Sequence, residues 1–182
     1  MQSFKVPQRE EVSATNQAIF DNLKSQLGMV PNLYATFAYS ENGLSNYLQL
    51  QGIKTSLSNK EKEAVNLIVS QVNGCRYCQS AHTVLGKMNG FTEEQILELR
   101  SGGASFNPKL DALVKLAKEI TETHGKPSAA TLDAFFNAGY NQGSLVDLLI
   151  QIADKTIANY LHNITQVPID FPVAAELELT AA

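Results

Sequence analysis

A chain of 182 residues, 44% of them hydrophobic, is long enough to bury one core, and we expect a single domain over residues 1–182. The net charge of -4 and the scattered lysines and arginines argue against a surface for DNA or RNA. No apolar run approaches the ~18 residues of a membrane span, and the N-terminus has no apolar signal region, so we expect a cytoplasmic protein that binds no membrane.

Helical periodicity runs through the chain and no stretch alternates at period two, so the sequence predicts an all-α bundle of about eight helices. After an N-terminal arm, the first three helices are predicted at residues 11–27, 31–40 and 42–55. Tyr34, Phe37 and Tyr47 on the second and third of these helices are candidates to line a substrate pocket. The same aromatic stripe also suits the core or a contact between subunits.

The rest of the chain continues in the same manner. Further helices are predicted at residues 58–72, 75–90, 93–100, 107–124, 130–139 and 144–166. The last is amphipathic, with apolar residues such as Leu149 and Ile157, and His162 near its end is expected at the surface or an interface. A short helix, a Gly-Tyr-Asn-Gln-Gly break and a long helix echo the first half, which predicts an internal helical duplication whose second copy is structural. From about residue 167 we expect an extended tail on its own or a neighbouring subunit.

The densest group of reactive side chains lies in residues 63–90, which hold both cysteines and one of the three histidines. On a helix of about 3.6 residues per turn, Cys75, Cys78 and His82 lie at angles of about 0°, 300° and 340°, so they share one face. Two such thiols can form a disulfide or share a metal. In a reducing compartment the pair is typical of a catalytic or metal-binding site rather than of a permanent disulfide.

The turn before the cysteines predicts an activated thiol. Asn73-Gly74 separates two helices, and Cys75 comes in the first turn of the second one. Unpaired N–H groups and the helix dipole favour a thiolate at this position, so we expect the pKa of Cys75 to fall. On the preceding helix, where Ser58 is the predicted cap, Glu63 lies on the flank of the apolar side and is a candidate to lean into the cysteine site.

These residues carry a family resemblance. The pattern L-S-x-x-x-x-E-x-V, followed by V-S-x-x-N-G-C-x-Y-C-x-x-x-H, resembles the redox-active motif of the alkyl hydroperoxidase D-like (AhpD-like) branch of the carboxymuconolactone decarboxylase superfamily. The match spans residues 57–82, with Glu63, Cys75, Cys78 and His82 at family spacing. The closing segment NYLHNITQVPIDFP is similar to the peroxidase-related subgroup.

The resemblance implies an all-α AhpD-like fold and a thiol-dependent peroxidase of the alkyl hydroperoxide reductase type. It implies that the Cys78 thiolate attacks the hydroperoxide, that Cys75 then closes a disulfide, and that His82 with Glu63 relays protons. The spacing agrees, because His82 lies one helical turn from Cys78 and about two turns from Cys75. We expect Cys75, at the frayed and accessible helix start, to meet the reductant. Tyr77 departs from the better-known members, which carry a histidine there, so we assign it no part in the relay.

The resemblance also implies partners. Without an external reductant the site would turn over once, so a dithiol protein is required, and in the resembled family this can be a lipoyl-bearing protein. Relatives form trimers or hexamers, and the aromatic stripe and apolar tail of this chain also favour a homo-oligomer. Neither a cofactor nor a metal is implied.

Several other interpretations stay open. A zinc site is one, because two cysteines with His82 and Glu63 supply four ligands, although three of them would crowd onto two turns of one helix. A disulfide oxidoreductase or redox sensor of the same fold is another. A third is the decarboxylase activity that names the superfamily, whose members generally lack the cysteine pair. The last is a non-catalytic interaction protein with two inert, buried sulfurs.

Overall fold

The computed structural model describes residues 4–177, and within that range it contains nine α-helices, one short 3-10 helix and no strand. The 3-10 helix is Arg9–Glu11, and the α-helices are α1 (Ala14–Leu27), α2 (Asn32–Phe37), α3 (Gly43–Gln51), α4 (Asn59–Val72), α5 (Arg76–Met88), α6 (Glu93–Ser101), α7 (Pro108–Glu122), α8 (Ala129–Asn137) and α9 (Gln142–Thr165). The predicted all-α fold is confirmed, and the nine helices of the described residues agree with the expected number of about eight.

Helix boundaries follow local chemistry. Ser58 accepts the backbone N–H of Glu61, and the Glu61 carboxylate accepts the N–H of Ser58, which forms the predicted capping box at the start of α4. Thr92 and Ser128 cap α6 and α8 in the same position. Gly28 ends α1 in the left-handed conformation that a glycine adopts without strain.

Helix α4 lies at the centre of the molecule, packed against α5, α6, α7 and α9. One side of it contributes to the main core, whose largest fully buried side chains include Leu67, Ile96, Leu99, Leu113, Leu116, Phe135 and Leu148. Its other side faces α5 and α9. A second, smaller apolar cluster gathers α2, α3, α5 and α9 around the two cysteines. Thus the motif segment is held between two cores.

The rotation of α9 differs from the one that its apolar residues suggest. Leu149 and Ile157 are exposed, while Gln151, Asp154 and Lys155 are buried. Asn66 of α4 accepts a hydrogen bond from Gln151 at 2.8 Å, so α9 turns a polar stripe toward α4. Buried polar groups are tolerated when they are hydrogen-bonded, and this pairing decides which side of the helix faces inward.

His162 is buried, so the expectation of a surface or interface histidine is wrong. Its Nε2 lies 3.1 Å from the carbonyl of Val167, and its ring packs at 5.1 Å from the ring of Tyr77. The C-cap of helix α9 comes four residues after His162, at Gln166, which has a left-handed conformation. The chain that follows Gln166 packs over the His162 imidazole. His162 therefore has a structural role between α9, α5 and the tail.

The tail after α9 is extended and lies on its own subunit. Arg76 and Arg100 donate hydrogen bonds to the carbonyls of Ala174 and Ala175 at 2.8 Å each, and Ser80 accepts the N–H of Ala174 at 3.0 Å. Residues 178–182 of the predicted tail and residues 1–3 of the predicted N-terminal arm lie outside the described residues. Between residues 4 and 177, no helix has both the length and the apolar character to cross a membrane.

Candidate active site

The cysteine pair is built by the turn between α4 and α5. Gly74 has a φ of 65°, a left-handed conformation that glycine adopts easily, and the next residue, Cys75, is the N-cap of α5. The Cys75 sulfur accepts the backbone N–H of Cys78 at 3.3 Å. A sulfur thus takes the position that a serine or aspartate oxygen usually occupies at a helix start.

The two sulfurs are 2.7 Å apart, both cysteines are free, and the Cys75 thiol donates its hydrogen to Cys78. This donation lowers the pKa of Cys78 below its ordinary value, against an opposing effect of burial, and the charge of Lys155 and a hydrogen bond from Asn159 lower it further. The same hydrogen bond, together with burial, raises the pKa of Cys75. The expected fall in the pKa of Cys75 is therefore wrong, because its sulfur is the donor of the pair.

Both sulfurs are shielded from solvent, which corrects the expected accessibility of Cys75. Cys75 is 0% exposed and Cys78 is 2% exposed. The apolar cluster that covers them comprises Leu33, Tyr34, Phe37, Tyr47, Tyr77, Ala158, Leu161, Ile169 and Phe171. The three aromatic residues expected to line a pocket thus belong to the cover of the thiols. Any reactant has to pass this layer of aromatic and aliphatic side chains.

Glu63 and His82 form the second half of the site. The Nδ1 atom of His82 lies 2.7 Å from Oε2 of Glu63, and Asn66 donates a 3.2 Å hydrogen bond to Oε1 of the same carboxylate. Burial raises the pKa of Glu63, but the charges of His82 and Lys155 and the two hydrogen bonds outweigh it and hold the pKa low. Burial and then Lys155 lower the pKa of His82.

These shifts define the protonation of the pair. A neutral imidazole beside an ionised carboxylate must carry its proton on Nδ1, and this leaves Nε2 of His82 as a proton acceptor. Within residues 4–177, His82 makes no hydrogen bond to either sulfur. The structure therefore brings the four predicted site residues together as two hydrogen-bonded pairs. Cys75 is paired with Cys78, and Glu63 is paired with His82.

Tyr77, between the cysteines, has contacts of a structural kind. Its hydroxyl accepts the N–H of Leu33 at 3.3 Å, and its ring packs against His162 and edge-on against Phe171. Burial and the neighbouring carboxylate of Asp170 raise the pKa of Tyr77, so the phenol stays protonated. The residue ties α2 and the tail to the start of α5.

Sequence reasoning missed the contribution of α9. Asp154, Lys155 and Asn159 are all buried beside the site, and Asn159 donates a 3.2 Å hydrogen bond to Ser70 and accepts one of 3.0 Å from Asn73. A signal was present, because Lys155, Asn159 and His162 recur at helical spacing in an otherwise apolar helix. Among residues 4–177, no group of three or more histidines, cysteines and carboxylates is arranged to hold a metal ion.

The fold and the thiol pair define the chain first as an all-α protein with a buried dithiol centre. Its fold is shared by a peroxidase-related protein from Silicibacter sp. TM1040, with a TM-score of 0.78 at 18% identity over 90% of this chain and 89% of that one. A peroxidase-related protein with an alkylhydroperoxidase AhpD core from Ralstonia eutropha JMP134 gives a TM-score of 0.79 at 17% identity over 88% of each chain. The debrominase Bmp8, as a variant in complex with 2,3,4-tribromopyrrole, gives 0.76 at 16% identity over 93% of each chain.

Sequence comparisons agree with this fold. The model of the Carboxymuconolactone decarboxylase family matches residues 41–119, which include all four predicted site residues. The protein YdfG of Bacillus subtilis (strain 168) is 28% identical over 101 residues, which are 54% of this chain and 69% of YdfG. The chain thus resembles the Carboxymuconolactone decarboxylase family over residues 41–119, and it shares its fold with two peroxidase-related proteins.

Proposed function

We propose that the protein is a thiol-dependent peroxidase that reduces hydroperoxides with Cys78 and Cys75. The observation that carries the proposal is the asymmetry of the pair: one sulfur receives a hydrogen bond from the other at 2.7 Å, which favours a thiolate at Cys78 and a thiol at Cys75. Only a thiolate is a strong nucleophile, and a protonated neighbour within bonding reach is ready to resolve the product.

In the first step, the Cys78 thiolate attacks the terminal oxygen of the hydroperoxide. A sulfur–oxygen bond forms, the oxygen–oxygen bond breaks, and the leaving alkoxide takes the proton that His82 accepted from the Cys78 thiol, so that an alcohol leaves and Cys78 is oxidised to a sulfenic acid. His82 and Glu63 serve as the proton relay in this proposal, because His82 lies one turn after Cys78 on α5 and its Nδ1 is paired with Glu63.

In the second step, the Cys75 sulfur attacks the sulfenic sulfur, water leaves, and a disulfide forms. A dithiol protein then reduces this disulfide and becomes oxidised itself, which restores the two thiols. A cytoplasmic location belongs to this proposal, because that compartment keeps such reductants in the dithiol form. A lipoyl-bearing protein is the proposed reductant, by resemblance to the family.

The experiment compares two matched variants, Cys78→Ser and Cys75→Ser, with cumene hydroperoxide and a sulfenic-acid trapping reagent. We expect Cys78→Ser to abolish peroxide consumption, and Cys75→Ser to form one sulfenic acid per subunit without turnover. Mass spectrometry locates the label. A label on Cys75 in the Cys78→Ser protein, with none on Cys78 in the Cys75→Ser protein, would show that the roles are reversed. Peroxide consumption unchanged in both variants would refute the peroxidase.

A second candidate is reductive dehalogenation, which the aromatic cover of the thiols favours. Such rings can pack against a flat halogenated ring, and the structural neighbour Bmp8 is a debrominase. The balance would be one aryl bromide and two thiols giving the arene, bromide, a proton and a disulfide. Bromide release from a brominated pyrrole, dependent on Cys78, would favour this reaction over the peroxidase.

We further propose that the protein forms a homo-oligomer through the outer face of α9, with a trimer or hexamer expected from the family resemblance. Val146, Leu149, Ile157, Tyr160 and Ile164 are exposed there at the spacing of a helix seam, and Ile164 is 71% exposed. A second copy of the same stripe matches its length and apolar character, as symmetric association requires. A monomer in light scattering at micromolar concentration would refute this proposal, and Ile164→Lys is expected to weaken the association.

A further inference from the structure

The strongest unexplained feature of the site is a buried ammonium group. Lys155 is 3% exposed and lies one turn after Gln151 and one turn before Asn159, both of which donate hydrogen bonds to side chains of α4. Within residues 4–177, no salt bridge and no hydrogen bond involves its Nζ. A buried charge costs several kcal/mol unless opposite charges nearby offset that cost, so a lysine that serves only the fold is a poor choice at this position. Its charge therefore calls for another explanation.

A second unpartnered group lies beside the lysine. Asp154 is 5% exposed, its Oδ2 accepts a 3.3 Å hydrogen bond from Gln151, and its Oδ1 is buried without a partner. The titratable groups that act on this pair from the surrounding helices are Tyr34 of α2, Tyr47 of α3, Glu63 of α4, and Cys78 and His82 of α5. Opposite charges on adjacent residues thus act on both Cys78 and the Glu63–His82 pair.

We propose that Lys155 and Asp154 are positioning residues that set the fraction of Cys78 present as thiolate, Lys155 by stabilising the negative sulfur and Asp154 by opposing it. The inference rests on the proposed role of Cys78 as the nucleophile. In this proposal Lys155, and not a protonated His82, supplies the positive charge that stabilises the Cys78 thiolate. His82 can then stay neutral and act as a base.

The electrostatics of the site agree with this arrangement. After the hydrogen bond from Cys75 and the effect of burial, the charge of Lys155 lowers the pKa of Cys78, and Asp154 raises it. Burial lowers the pKa of Lys155, but Asp154, Cys78, Tyr34 and Glu63 together raise it, so the ammonium stays charged. Lys155 also lowers the pKa of His82. Two cations close together in a buried site repel each other, so the positive charge stays on the lysine.

The test measures the pH dependence of Cys78 alkylation by iodoacetamide, with the modified residue located by mass spectrometry. Lys155→Met keeps the length of the side chain and removes the charge, and we expect about 10-fold slower alkylation of Cys78 at neutral pH and a midpoint at higher pH. Asp154→Asn should move the midpoint to lower pH. Lys155→Arg should restore most of the reactivity, and the surface variant Lys115→Met should leave the profile unchanged.

The opposite signs make the test decisive. A structural disturbance would move both variants in the same direction, so equal shifts for Lys155→Met and Asp154→Asn, or no shift in either, would overturn the proposal. If Lys155→Met does not fold, the shift in Asp154→Asn decides alone. Alkylation does not depend on peroxide, so a protein with the expected shifts that consumes no peroxide would support the charge pair and refute the peroxidase.

Discussion

The two sides of α4 differ in the side chains that they bury, which are mostly apolar on one side and polar on the other. Toward α6 and α7 most side chains that the helix buries are apolar, such as Leu67, which belongs to the same core as Leu113 and Phe135. Toward α5 and α9 it presents Glu63, Asn66 and Ser70 at helical spacing, and each is hydrogen-bonded to a side chain of α5 or α9. One helix thus separates a stabilising core from a chemical site.

The difference shows how the chain divides stability and function. Apolar burial contributes about 25 cal/mol per Å² of area removed from water, whereas a buried ionised group lowers stability unless it is paired. The site side holds Lys155, Asp154, Glu63 and His82, so its contribution to stability is smaller than that of the apolar side. We expect substitutions on the two sides to have separable effects.

The largest expected effect is on the apolar side. Leu113 is 0% exposed, and Leu113→Ala should lower the free energy of unfolding by about 2–5 kcal/mol, because it removes buried methyl groups and leaves a cavity. Urea denaturation checks the value, with Leu27→Ala on the exposed end of α1 as the matched control. A changed alkylation midpoint of Cys78 in the folded Leu113→Ala protein would contradict the separation of the two sides.

An intermediate effect, on the rate of peroxide reduction, is expected when Glu63 or His82 of the proposed proton relay is replaced. Glu63→Gln keeps the shape of the side chain but removes the charge that orients His82, and it should slow peroxide reduction by about 10-fold or more if the pair acts in general acid–base catalysis. His82→Ala should raise the pH at which Cys78 reacts. Stopped-flow peroxide consumption across pH gives both quantities. Glu41→Gln, an exposed control, should behave as the wild type, and a normal rate in Glu63→Gln would remove this residue from the relay.

The smallest expected effect is on stability at mildly acidic pH. Burial and Lys155 lower the pKa of His82 below its ordinary value of 6.5, so in the window just below that pH the unfolded chain binds a proton that the folded chain does not. Unfolding is therefore favoured as the pH falls, and Tm should drop by about 2–4 °C on this account. Calorimetry should show a weaker pH dependence in His82→Gln and an unchanged one in His124→Asn. Equal slopes in all three proteins would exclude His82 as the cause.

Sequence reasoning succeeded where the cause is local. Helix positions follow from apolar periodicity and from caps such as Ser58 and Thr92, which bond to groups three residues away. The proximity of Cys75 and Cys78 follows from their spacing in the same way. The further lowering of the pKa of Cys78 by Lys155 and Asn159 could not be predicted, because both residues come from a helix distant in the chain.

By itself, the sequence determined an all-α chain with a two-cysteine motif at a helix start, since periodicity, caps and spacing act within a few residues. Only the tertiary structure decided that both sulfurs are buried, that α9 turns Asp154 and Lys155 inward, and that the tail lies over α5. The rotation of a helix about its own axis depends on what its neighbours bury. Here Asn66 and Ser70 of α4, which are remote in sequence, accept hydrogen bonds from Gln151 and Asn159 of α9. The charged side of α9 therefore faces the thiols.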